Sequence, residues 1–74
     1  MKLIGREDDQ LDVRLNTAEL VLLHNALDEI CHGFTLTDRD FQEILGVTRG
    51  DATMLLRRTG HVLERLGILA AQAP

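Results

Sequence analysis

The sequence predicts a mostly α fold of the α+β class: a short N-terminal β-strand or hairpin followed by a three-helix bundle. Three observations carry this. Leu11-Asp12-Val13-Arg14-Leu15 alternates apolar and polar residues, the period of a half-buried strand. Asn16, Thr37 and Thr48 each precede a run with apolar residues three and four apart, as helix-capping residues do. Gly33, Gly46 and Gly67 close those runs.

Lys2-Leu3-Ile4 is a candidate partner for the strand, and Asp8-Asp9-Gln10 is turn-like, so residues 1–15 form the β segment. A hairpin alone is barely stable, so it is expected to lie on the helices or pair with another chain. Asn16-Thr17-Ala18-Glu19 reads as a capping box that opens a helix over 17–32. Leu20, Leu23, Leu27, Ile30 and Cys31 form its core stripe, and Gly33 is expected to stop it in the left-handed conformation. Val21, Leu22 and Ala26 widen the apolar arc enough to suggest contacts on two sides.

The second helix is expected over 38–45. Thr37 caps it, Asp38 and Asp40 suit its dipole, and Leu36 with Phe41 forms a hydrophobic staple. The third, over 49–66, begins after Thr48 and carries the stripe Ala52, Leu55, Leu56, Thr59, Val62, Leu63 and Leu66. Gly60 inside it costs about 1 kcal/mol relative to alanine, which suggests either a close helix approach or a bend. Ile68-Leu69 is expected to fold back, and residues 70–74 to form a frayed tail.

Seventy-four residues make one domain, 1–74. A chain this short buries only about 60% of the surface its unfolded form exposes, and a single cysteine excludes an intrachain disulfide. Oligomerisation is the remaining supplement. The expected context is the cytoplasm: Cys31 stands alone, there is no export signal, and no apolar run approaches the ~20 residues of a membrane span. The net charge of −4 is uneven. Residues 1–48 hold four basic against ten acidic residues, and residues 49–74 hold four arginines against Asp51 and Glu64. Opposed halves suit self-association or a protein partner better than phosphate.

No sequence pattern supports catalysis. His24, Asp28 and His32 repeat at four-residue steps, but eight residues rise about 12 Å, too far for one ion. The residual metal candidates are His24 and Asp28 as an adjacent pair, with His61 from elsewhere in the chain. Cys31 and His32 point about 100° apart on a helix and do not form a nucleophile–base pair. Phosphate-binding loops, nucleophile elbows and zinc-finger spacings are absent. Glu7-Asp8-Asp9-Gln10-Leu11-Asp12 lacks the central glycine and terminal glutamate of a calcium loop. Neither an enzyme nor a cofactor is expected.

Asp40-Phe41-Gln42-Glu43-Ile44-Leu45-Gly46-Val47-Thr48-Arg49-Gly50-Asp51-Ala52-Thr53-Met54-Leu55-Leu56-Arg57-Arg58 resembles the helix-turn-helix of bacterial winged-helix regulators, and the likeness extends over residues 37–69. The resemblance implies a recognition helix at 49–66, with Thr48, Arg49, Thr53 and Arg57 toward the major groove. Asn25-Ala26-Leu27-Asp28-Glu29-Ile30-Cys31-His32-Gly33 is similar to a segment of small bacterial proteins, and implies no activity.

The leading expectation is a non-catalytic interaction or regulatory module, acting through protein–protein contacts as a homodimer, with Val21, Leu22 and Met54 at the interface. The rival is DNA binding through helix 49–66. An open face of Arg49, Arg57 and Arg58 would favour DNA, whereas pairing with Asp38, Asp40 or Glu43 would disfavour it.

Overall fold

The computed structural model describes residues 1–33 and 35–68. The hairpin forms from β1 (Lys2–Glu7) and β2 (Gln10–Arg14), paired antiparallel. The register places Leu3 opposite Val13, Arg6 opposite Leu11 and Glu7 opposite Gln10, with an irregularity between Leu3 and Gly5. The link is the two-residue turn Asp8-Asp9, in which Asp8 takes a φ of 53°. Aspartate tolerates that region better than most residues with a Cβ, so the turn closes without Asn-Gly.

The three helices follow: α1 (Thr17–Asp28), α2 (Asp38–Leu45) and α3 (Arg49–Arg65). Asn16 forms the expected capping box, its side chain accepting from the Glu19 amide at 2.8 Å while Glu19 accepts from the Asn16 amide at 3.0 Å. Thr37 and Thr48 accept from the Asp40 and Asp51 amides, each at 3.1 Å. α2 ends at Gly46, φ 76°, whose amide bonds the Gln42 carbonyl. After α3, Gly67 bonds the Glu64 carbonyl and Ile68 the Leu63 carbonyl, a paired closure typical of helix ends with a left-handed glycine. The chain therefore folds back at Ile68 as expected; Leu69 and the tail at 70–74 lie outside the described residues.

The first helix corrects two expectations. It continues past Asp28 as a π-helical turn, Glu29–Gly33, and does not run as an α-helix to His32. Gly33 is not left-handed; the glycines with positive φ are Gly46 and Gly67. Nor does space demand a glycine there, because the atoms a Cβ would meet belong to the Glu29 carboxyl group at the far end of a flexible side chain.

α1 and α3 are the main pair, and Phe41 of α2 and the π-turn pack on them. The buried hydrophobics are Cys31, Phe41, Ala52, Leu56 and Leu63, with Leu27, Ile30 and Leu36 packed beside the first four. The stripe expected on α3 divides in two. Ala52, Leu56, Gly60 and Leu63 are buried, while Leu55, Val62 and Leu66 are exposed. The seven stripe positions span about 120° at 100° per residue, and the exposed Leu55, Val62 and Leu66 occupy one edge of that arc. On α1, half-buried His24 takes the inner place expected of Leu23, which is exposed.

The hairpin packs on none of the described helices. Its apolar residues Leu3, Ile4, Leu11 and Val13 are exposed, and its one polar link to the helices is from the Met1 amino group to Glu19. The chain is correspondingly open, 39 × 33 × 17 Å.

Candidate interaction surface

Two sides of the α1–α3 pair differ in chemistry. The pairing is antiparallel: Thr53 lies by Cys31 near one end, and His24 meets Thr59 and Gly60 further along. One side is a groove with a charged rim, lined by His24, Asn25 and Asp28 of α1 and by Leu56, Arg57, Gly60, His61 and Glu64 of α3. By helical phase, Leu23 of α1 and Leu55, Val62 and Leu66 of α3 fall on the opposite side. Leu23 and the three α3 residues are exposed, making a second apolar strip along the pair.

The groove brings the candidate metal residues His24, Asp28 and His61 to one place, with each partnered differently. His24 Nδ1 shares a hydrogen bond of 2.8 Å with Thr59 Oγ1. Asp28 pairs with His32 Nδ1 at 2.9 Å, and His61 lies 3.7 Å from Glu64. Among the described residues, no three His, Cys, Asp or Glu side chains gather as a metal would need.

The residues proposed for DNA contact have mostly structural partners. Arg49 bonds Asp38 at 3.2 Å, the Leu36 carbonyl at 2.6 Å and the Cys31 carbonyl at 3.4 Å. Its guanidinium also lies over the Phe41 ring. Thr48 caps α3, and Thr53 donates to the Arg49 carbonyl at 2.8 Å. Arg57 is exposed, and neither it nor Arg58 forms an ion pair with a described residue. Arg57 and Arg58 are thus open, but as consecutive residues of α3 they point about 100° apart and do not form one face with Arg49.

Val21, Leu22 and Met54 do not share one surface. Val21 is half-buried, and Leu22, the next residue, points about 100° away from it into solvent. Met54 is exposed in a separate depression between α2 and α3, lined also by Asp38, Gln42, Thr48, Gly50 and Arg57. The larger strip of Leu23, Leu55, Val62 and Leu66 was hidden within sequence stripes assigned to the core. Periodicity alone did not mark it, since Leu55, Val62 and Leu66 lie on one edge of the same stripe as the buried residues.

Cys31 is buried and unpaired. It accepts a weak contact from Thr53 Oγ1 at 3.9 Å. Among the described residues no helix is long and apolar enough to cross a membrane. No family model, curated protein or solved structure matches the chain.

Proposed function

We propose that this chain is a non-catalytic interaction module that works as a homodimer, a small regulatory or accessory subunit in the cytoplasm. The observation that carries this reading is the exposed apolar strip of Leu23, Leu55, Val62 and Leu66 along the α1–α3 pair. Among the described residues five hydrophobics are buried, a small core, and a second chain is the supplement such a core would use. The opposed charges of residues 1–48 and 49–74 suit the same association.

Sedimentation equilibrium at micromolar concentration tests this. A species of twice 8.3 kDa is expected; a monomer across the accessible range overturns the reading.

DNA binding through α3 is the second reading. It is favoured by the α2–turn–α3 arrangement and by Arg57 and Arg58, and weakened by the occupation of Arg49. A gel shift on genomic fragments at low salt, diminished by Arg57→Ala, would support it. No retardation at low salt removes it.

A further inference from the structure

We propose that two copies of this chain join through the outer edge of β2, antiparallel about a dyad at Val13, into a four-stranded sheet in the order β1–β2–β2–β1. From the homodimer proposed above this takes only that the chain associates with itself; it names the edge through which it does so.

The backbone of β2 is half paired. A two-residue turn makes Glu7 and Gln10 a hydrogen-bonded pair, and antiparallel bonding alternates from there. Gln10, Asp12 and Arg14 therefore turn their amides and carbonyls toward β1, while Leu11 and Val13 turn theirs away. Among the described residues no third strand and no helix meets that outer side. An open edge of this kind is a template for another strand. A two-stranded ribbon is marginal in water until further strands join it.

The two edges of the hairpin differ. β1 carries an extra residue, Ile4, between the pairs Leu3–Val13 and Gly5–Asp12. Such a bulge breaks a regular edge and blunts it against pairing. β2 runs through the same pairs without interruption.

Charge selects a second copy as the incoming strand and sets its register. Lys2 lies directly opposite Arg14, a like-charge pair that weakens the ribbon, while Asp12 faces Gly5. Neither Asp12 nor Arg14 forms an ion pair with a described residue. A dyad at Val13 sets Asp12 of each chain opposite Arg14 of the other, in the non-hydrogen-bonded positions where side chains approach most closely. Both carboxylates then meet a cation, and each Lys2–Arg14 pair gains an anion beside it. Val13 meets its own copy as the central hydrogen-bonded pair, with Leu11 opposite Leu15 on the same face. A dyad at Asp12 would instead set the two Asp12 carboxylates against each other.

Charge reversal tests the pairing. Asp12→Arg and Arg14→Asp, each alone, place like charges opposite one another across the dyad. Each should raise the midpoint concentration of dimerisation in sedimentation by roughly tenfold or more. Mixing the two variants makes every pair across the dyad opposite in charge, so a heterodimer with the natural midpoint is expected. Arg14→Asp also removes the Lys2–Arg14 clash within the chain, so its weaker association is not a failure of the hairpin to form. Unchanged midpoints, or no recovery on mixing, overturn the edge pairing and leave the homodimer standing. A natural chain that stays monomeric overturns both. Cross-linking gives a measurement independent of those charges. Opposed residues of a hydrogen-bonded pair lie about 5.5 Å apart, within disulfide reach. In a Cys31→Ala background, Val13→Cys should therefore oxidise to a disulfide-linked dimer, and Ile4→Cys on the bulged edge should not. A dimer in which Val13→Cys fails to link overturns the inference.

Discussion

The guanidinium of Arg49 sits 4.6 Å from the centroid of the Phe41 ring, the most deeply buried side chain in the helical core. From there it reaches Asp38 and the carbonyls of Leu36 and Cys31, so one side chain ties the start of α3 to α2, to the segment before α2 and to the π-turn. A planar fork with several donors suits this task, and lysine cannot reproduce it.

Arg49→Ala should therefore destabilise the fold by about 2 kcal/mol, from the lost charge-assisted bonds and ring stacking. Arg49→Lys should recover less than half of that. Urea denaturation of the three proteins measures it. Unchanged stability in Arg49→Ala would instead fit a free arginine available to DNA.

Two glycines should respond in opposite ways. Gly46 has φ 76° and open space around it, so Gly46→Ala should cost about 1 kcal/mol through backbone strain alone. Gly33 has no positive φ, and the atoms its Cβ would meet belong to the mobile end of Glu29. Gly33→Ala should stay within about 0.5 kcal/mol of the natural chain, because that carboxyl can swing into solvent. Thermal melts of both variants decide it; equal losses would count against the assignment.

Gly60 and His24 should be energetically coupled. A Cβ at Gly60 would lie 3.3 Å from His24 Cε1, and the ring is held by Thr59. Alanine is favoured over glycine inside a helix by about 1 kcal/mol, and crowding against the ring offsets that gain. Gly60→Ala should be at least about 0.5 kcal/mol more favourable in a His24→Ala background than in the natural chain. A double-mutant cycle reading zero would show that the ring yields freely.

The capping box should be acid-sensitive. The backbone amide of Asn16, and secondarily the Met1 amino group, hold Glu19 below its ordinary value of 4.5. A carboxyl lowered in the folded state stabilises the fold above that ordinary value and loses its contribution as pH falls through the lowered one. The natural chain should thus exceed Glu19→Gln in melting temperature at neutral pH, and the gap should narrow below pH 4.5. A gap constant with pH would mean the charge has no part in the cap.

The helix starts were legible in the chain itself, because their causes are local. A cap is a bond between a side chain and an amide three residues on, so Asn16, Thr37 and Thr48 announce α1, α2 and α3 without reference to anything distant. The hairpin was legible for the same reason: alternation over five residues and a two-aspartate turn. Helical periodicity also gave the direction of the packed faces. It did not give their width, because an apolar residue looks alike in sequence whether one neighbour covers it or none does. Tertiary packing decided that His24 turns inward while Leu23 stays out, and that Leu55, Val62 and Leu66 face away from the core. It decided that Arg49 serves Phe41 and two carbonyls distant in sequence. It also left the hairpin standing apart from the helices beside it. These outcomes depend on which surfaces meet across long stretches of chain, and on area that 74 residues cannot cover with their own side chains.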